Sequence, residues 1–273
     1  MTDAPNAAQA EYWNAARHWV DDVTGHDQML EPLGRAAMEA LGPRPGMRVL
    51  DVGCGTGAST RALAEAVVPD GEAVGVDVSA LLLGVARERG GDNVAYIEAD
   101  VQTYDFEPAS FDGAFSRFGV MFFSDPVAAF ANVRRALRRT GRLAFVCWQS
   151  ASANQWWSVP AAAVSSWVDV NFDPDAPGPF AFAGRERLER ILDAAGFVDV
   201  TISDVRIPIL LGGPGDIETA FDYLASSRFG RVIEEEASDP EAALAAARDA
   251  LRPYVTTEGV RMLASVWVVT ARV

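Results

Sequence analysis

The chain has 273 residues and no lysine; all 23 of its basic residues are arginine. That absence excludes Schiff-base chemistry, a P-loop lysine and the Tyr-x-x-x-Lys pair of short-chain dehydrogenases. Histidine and cysteine are nearly as scarce, at two each. His18, His26, Cys54 and Cys147 lie scattered without metal-ligand spacing, so no zinc is expected and nothing marks another metal site. Both cysteines fall in stretches expected to be buried, which suits a reducing cytoplasm, and Cys54 reads as a packing residue rather than a nucleophile. No apolar run approaches the ~20 residues that span a bilayer. Met1 to Ala10 has neither the basic start nor the apolar core of a signal peptide, so a cytoplasmic location is expected. Positive charge is short as well, with a formal net charge of −15. A nucleic-acid groove or an anionic membrane would demand clustered cations. The one dense basic run, Arg134, Arg135, Arg138, Arg139 and Arg142, reads as the solvent face and C-terminus of a helix. Neither nucleic acid nor membrane is expected as a partner; a homodimer stays open.

What the chain does have is concentrated at Val49-Leu50-Asp51-Val52-Gly53-Cys54-Gly55-Thr56-Gly57. An apolar run ends in an acid, three glycines alternate with small residues, and a helix-like stretch follows. This is a buried strand turning sharply into a helix, with the backbone left bare for a ligand. Twenty residues past Gly57, the apolar run Ala73 to Val78 carries Asp77, where an acid can accept hydrogen bonds from both hydroxyls of a ribose. A third run, Val94 to Ala99, ends in Asp100-Val101-Gln102, where an acid can accept from an adenine amino group. Gly53, Gly55 and Ala58 also satisfy the G-x-G-x-x-G/A dinucleotide fingerprint, so a nicotinamide cofactor competes. The third glycine, Gly57, and Asp51 two residues before the first favour S-adenosylmethionine.

The segment from Asp51 to Gly57 resembles motif I of the class I S-adenosylmethionine-dependent methyltransferases. Gly75-Val76-Asp77-Val78-Ser79 resembles the motif that follows it. Glu98-Ala99-Asp100-Val101-Gln102 is similar to the adenine-side acidic motif. Residues Phe111 to Phe118 resemble the fourth-strand motif, and Gly141 to Phe145 the strand after the next helix. The similarity is closest to the bacterial group related to the ubiquinone/menaquinone-biosynthesis methyltransferases, and it spans about residues 45–150. Where that family usually has Pro-Gly-Gly before the fifth strand, this chain has Arg139-Thr140-Gly141. The resemblance implies S-adenosylmethionine as cofactor. It also implies a cofactor site drawn from Asp51, Gly53, Gly55, Thr56, Gly57, Asp77, Val78, Asp100, Val101, Gln102 and Ser116.

Strands are predicted near 47–52, 73–78, 94–99, 111–116 and 142–148, with helices near 57–68, 79–89 and 125–138. Such alternation gives a mostly parallel α/β sheet with helices on both faces, here a Rossmann-like, doubly wound sheet of seven strands. Residues 11–42 read as helical up to the stop at Gly42-Pro43. Residues 150–183 read as irregular, 184–195 as a helix closed by Gly196, and 198–206 as a strand. Helices near 216–226 and 240–251 precede a last strand from Val260 to Val273. The organisation expected is an N-terminal helical lid over 1–45, a core over 46–206, a helical cap insertion over 207–258 and a final core strand over 259–273.

Methyl transfer from a sulfonium is an in-line displacement with a good leaving group. The protein has chiefly to align the acceptor and exclude water. A base matters only where the acceptor must first lose a proton, and His18 and His26, both in the expected lid, are the candidates. Tyr12, Trp13, Trp19, Trp148, Trp156, Trp157 and Trp167 read either as lid packing or as the wall of a flat, greasy acceptor pocket. Tyr12, Trp13, Arg117, Phe118 and Trp148 are the candidate acceptor contacts. Arg117 either holds an acceptor anion or pairs with a cap carboxylate. The expected activity is methylation of a small aromatic or hydrophobic metabolite at oxygen, nitrogen or carbon. The alternatives are a nicotinamide-dependent oxidoreductase and a catalytically silent cofactor-binding module.

Overall fold

The computed structural model describes residues 5–170, 173 and 176–273. Three helices lead: α1 (Ala7–Ala15), α2 (His18–Asp21) and α3 (Val23–Leu41). An alternating segment follows, with β1 (Arg48–Val52), α4 (Ala58–Ala66), β2 (Glu72–Asp77), α5 (Ala80–Arg89), β3 (Val94–Glu98), β4 (Phe111–Arg117), α6 (Pro126–Ala136) and β5 (Leu137–Trp148). The rest comprises α7 (Gln155–Val164), α8 (Arg185–Ala194), β6 (Val198–Leu210), α9 (Ile217–Ser226), α10 (Arg228–Glu236), α11 (Pro240–Ala250) and β7 (Arg261–Arg272). All seven strands join one sheet in the order β3-β2-β1-β4-β5-β7-β6. The first five run parallel, whereas β7 lies antiparallel between β5 and β6.

Local chemistry explains the elements. Val49, Leu50 and Val52 are at most 1% exposed, as expected of a central parallel strand covered on both faces. Asp125 caps α6 by accepting from the Ala128 N–H, and Pro126 occupies the first turn, where its missing N–H costs nothing. The buried face of α6, Ala129, Phe130, Val133 and Ala136, has helical spacing, and Phe130 meets Phe145 of β5 at 5.5 Å. Ser79 caps α5 through the Leu82 N–H. Gly42 ends α3 in the left-handed conformation at φ +66°. Among the described residues no helix is long and apolar enough to cross a membrane.

Several expectations need correction. The N-terminal segment is not a lid throughout. Leu33, Ala37 and Leu41 of α3 are at most 1% exposed, and that helix packs on β4, β5, β6 and β7 as part of the core. Only α1 and α2 stand apart from it, and α1 buries no residue. The basic run is not one helical face, because α6 stops at Ala136. Leu137 turns extended and buried, and Arg138, paired with Asp112, and Arg139 bulge from the start of β5. The stretch 150–183 contains α7, which periodicity concealed because Pro160 interrupts it. The sheet continues to Leu210, past the expected start of the insertion at 207, and α10 adds a third helix to that insertion.

This topology positions a site. The chain lays β2 and β3 on one side of β1, then returns to place β4 on the other. A crevice opens beyond the carboxyl ends of strands where their order reverses in this way. Leu210 pairs with Arg261 past the end of the β5–β7 ladder, so the excursion carrying α9 to α11 leaves from the same rim.

At the switch point two backbones nearly touch. A Cβ on Gly119 would lie 2.7 Å from both Gly53 Cα and Val52 O. Backbone cannot yield as a flexible side chain can, so Gly119→Ala should destabilise by about 1–3 kcal/mol. Gly84, inside α5, has nothing within 4 Å of such a Cβ. Gly84→Ala should therefore be neutral or stabilising by up to about 1 kcal/mol. Urea denaturation of both variants checks the contrast, and equal midpoints would refute it.

Candidate active site

The turn after β1 is built from glycines at φ +66° (Gly53), +54° (Gly55) and +83° (Gly57). The N–H groups of Gly53 and Cys54 donate to Val76 O of β2, at 2.8 and 3.2 Å. Asp77 secures the rest of the loop: Oδ2 accepts from the Gly55 N–H at 2.8 Å, and Oδ1 from the Ser79 N–H at 2.9 Å. Burial raises the Asp77 pKa, against the pull of these hydrogen bonds. A Cβ on Gly55 would meet nothing within 4 Å among the described residues. Its open side faces a cavity that Gly53, Thr56, Asp77 and Val78 also line.

Asp100 and Val101 line the same cavity beyond β3. Asp100 Oδ1 accepts from the Gln102 N–H at 2.9 Å, whereas Oδ2 is buried without a hydrogen-bond partner among the described residues. Four of the expected cofactor residues lie off the cavity wall. Asp51 is fully buried beneath the loop, where Oδ2 accepts from the Ser59 and Thr60 hydroxyls at 2.7 Å each; burial pushes its pKa up to about 6. Ser116 is also fully buried; it donates to Val52 O and accepts from the Gly119 N–H, tying β4 to β1. Gly57 caps α4. Gln102 accepts from the Asp125 N–H and the Ser124 hydroxyl. All four residues support the loops around the cavity.

The other half of the cavity is aromatic. Phe118, at the end of β4, has φ +65°, an uncommon conformation for a bulky residue. Its ring stacks on Trp148 at 4.3 Å and 18°, and Trp148 meets Trp156 of α7 at 4.9 Å. Trp13 stands edge-on to Phe122 at 5.0 Å. The Tyr12 hydroxyl accepts from Arg231 of α10 at 2.8 Å. All five candidate acceptor contacts line the cavity; of the seven expected lid aromatics, Trp167 alone does not. Arg117 pairs at 3.0 Å with Asp27 of α3, which Arg89 also reaches at 2.8 Å, so the cap-carboxylate alternative describes its contact.

The histidines separate. His18 lines the cavity. Burial, with help from neighbouring His26 and Arg231 and against Asp21, lowers its pKa to about 4. His26 is off the cavity wall. Its Nδ1 donates to Asp22 O at 2.6 Å, its ring lies 4.4 Å from Trp19, and Nε2 is buried without a partner among the described residues. Cys54 is 3% exposed, and burial drives its thiol pKa well up, the reverse of an activated nucleophile. Sequence reasoning missed Asn6, Asp27, Tyr223 and Phe229, all on the cavity wall. None sits in a recognisable motif; only the aromatic character of the last two was there to be read.

Comparison with known proteins agrees with this geometry. A family model described as a methyltransferase domain matches residues 49–141. The demethylmenaquinone methyltransferase of Staphylococcus aureus (strain JH9) is 30% identical over 182 residues, covering 62% of this chain and 75% of that protein. Among solved structures, the Bacillus subtilis YcgJ protein superposes with a TM-score of 0.56 at 19% identity, over 89% of this chain and 97% of that one. Haemonchus contortus phosphoethanolamine N-methyltransferase 2, solved with phosphomonomethylethanolamine and S-adenosylhomocysteine, gives 0.60 at 19% identity, over 96% of this chain and 60% of that one. These matches set the nicotinamide alternative aside: the chain belongs to the class I S-adenosylmethionine-dependent methyltransferases.

Proposed function

We propose that this methyltransferase acts on a small aromatic or otherwise hydrophobic metabolite, held in the aromatic half of the cavity while the cofactor takes the glycine-loop half. The observation that carries the reading is the shared wall. Gly55 and Asp77 line the same cavity as the Phe118–Trp148 stack. S-adenosylmethionine, when bound, supplies an electrophilic methyl group on a cationic sulfur. In this reading Asp77 accepts from the ribose hydroxyls with the lone pairs that Gly55 and Ser79 leave free. Asp100 Oδ2 accepts from the adenine amino group, and the bare Gly55 backbone lies against the ligand. The Phe118 and Trp148 faces are electron-rich surfaces suited to a flat acceptor beside a cation. Trp13 and Tyr12, carried by α1, exclude water. The cavity chemistry admits an oxygen, nitrogen or carbon acceptor.

Two consequences test the cofactor half. Gly55→Val projects a branched side chain into the cavity from a left-handed backbone position, so binding should be lost while the fold survives. Asp77→Ala should weaken S-adenosylmethionine binding by about 1.5–3 kcal/mol. Asp77→Asn should not be mild, because the two N–H groups are held by different oxygens and the amide NH2 would oppose one of them. Calorimetry with circular dichroism reads both effects; undiminished affinity in folded Gly55→Val would remove the loop from the site. A methyl-transfer assay over a panel of aromatic and hydrophobic metabolites tests the acceptor class. Turnover confined to small, strongly polar acceptors would refute it, and none with any acceptor would favour the silent-module alternative.

His18 is the proton acceptor in this reading for an acceptor that must ionise. With a pKa near 4 rather than 6.5, it stays neutral above about pH 5. Base-dependent turnover should then be level from neutrality to about pH 5 and fall toward pH 4. The unfolded chain binds more protons than the native one between those two pKa values. Stability contributed by neutral His18 is therefore present above pH 6.5 and lost as pH falls toward 4. His18→Ala should lower kcat more than it changes KM and abolish the acid limb. An inflection near 6.5 that persists in His18→Ala would exclude His18 as the base.

A further inference from the structure

Helix α1 is fastened at both ends by asparagines. At its N-terminal side, Asn6 is 6% exposed although it lies outside the helix core. Its Nδ2 donates to Asp100 Oδ1 at 2.8 Å and more weakly to Gln102 Oε1 at 3.4 Å, and its Oδ1 accepts from the Ser124 N–H at 2.8 Å. Near the other end, Asn14 Oδ1 accepts from the Leu81 N–H at 3.2 Å and the Ser79 hydroxyl at 3.3 Å; the same hydroxyl also reaches Trp13 O at 3.1 Å. Ser79 follows Asp77 by two residues and is bound by it. The nine-residue helix, about 14 Å long, thus runs from the acid beyond β3 to the helix start behind the acid of β2. No residue of α1 is fully buried; Trp13 against Phe122 and Tyr12 against Arg231 hold its middle, and the two asparagines fasten its ends.

The Asn6 contact divides the Asp100 carboxylate. Oδ1 is taken by Asn6 and the Gln102 N–H, while Oδ2 is buried and unpartnered among the described residues. A buried carboxylate oxygen without a donor is costly, and a ligand N–H supplied from the cavity would relieve it. A carboxylate anchored by one oxygen also cannot turn away.

We propose that Asn6 is a positioning residue for the cofactor's base: it holds Asp100 by Oδ1 so that Oδ2 meets the adenine amino group, and with Asn14 it straps α1 across the adenosine. The inference rests on the cofactor placement proposed above. It assigns the two asparagines distinct effects. Loss of Asn14 loosens the strap and weakens every nucleoside ligand alike. Loss of Asn6 also frees Asp100, so the enzyme ceases to tell an amino group from a carbonyl on the base.

The test is calorimetric, on the full chain. S-adenosylhomocysteine is compared with S-inosylhomocysteine, which has a carbonyl in place of the amino group. The unaltered protein should prefer the adenine compound by about tenfold or more. In Asn6→Ala the preference should fall to within about threefold. Asn6→Asp, which keeps the acceptor for Ser124 but places a second carboxylate against Asp100, should lose it as well. Asn14→Ala should weaken both compounds equally and keep the preference. A full preference in Asn6→Ala overturns the proposal, as does no preference in the unaltered protein. Failure of the unaltered protein to bind either compound would instead defeat the cofactor placement itself. Asn14 is exposed, and Asn6 joins α1 to loops rather than to the sheet, so all three variants should fold, which thermal melts verify.

Discussion

The bracket that Asp77 forms between Gly55 and Ser79 is the constraint on which the rest of the site depends. One carboxylate at the end of β2 accepts an N–H from the loop of β1 and another from the cap of α5. The loop is thereby held with Gly55 bare toward the cavity and Gly53 against Gly119. An unrestrained glycine loop would lose much of its order to backbone entropy. The ladder bonds from Gly53 and Cys54 to Val76 act in the same direction. The acid proposed for the ribose therefore also shapes the loop, and its two tasks are not separable by substitution.

A second linkage ties the N-terminal helices to that loop. Asp27, in the first turns of α3, lies between Arg89 at the end of α5 and Arg117 at the end of β4, and Arg89 in turn donates to Thr56 O. All three side chains are largely buried, where an ion pair broken on one side leaves an uncompensated charge. Two guanidiniums share this one carboxylate, and of the three side chains Asp27 and Arg117 line the cavity. A core helix, the glycine loop and the fourth strand thus share one electrostatic junction. The junction adds to the apolar packing that already places α3 on the sheet, whereas no residue of α1 is buried.

The parts of the molecule legible in the sequence are those whose reasons are local. The glycine alternation, the acid close to the end of each of the first three strands, the Asp125-Pro126 helix start and the Gly42 and Gly196 stops each act within a few residues, and each lies where local chemistry put it. Misreadings arose where tertiary context decides. Alternating apolar and charged residues could not show that α3 covers four strands. Pro160 hid α7, and the arginines after Ala136 looked helical because strand pairing of Leu137 with Phe111 is a long-range event. Asp51 and Ser116 belong to recognisable motifs, yet their chemistry is turned inward to other loop residues.

The two halves of the cavity differ in the same way. The proposed cofactor half comes mainly from the ends of β1, β2 and β3, adjacent strands whose order the alternating pattern dictates. The aromatic half is assembled from α1, the turn after β4, α7 and the α9–α10 excursion; Tyr12 and Arg231, which touch there, are 219 residues apart in the chain. No short motif can encode such an assembly; Tyr223 and Phe229, for example, reach the cavity only because the β6–β7 ladder returns their excursion to the rim. Asn6 is the limiting case. A lone asparagine near the start of a chain carries no signal in sequence, yet its amide lies against the carboxylate proposed to meet the adenine amino group. The glycine loop and the strand-end acids are written locally, whereas the aromatic half of the cavity, and the Asn6 contact, arise from how distant segments close upon one another.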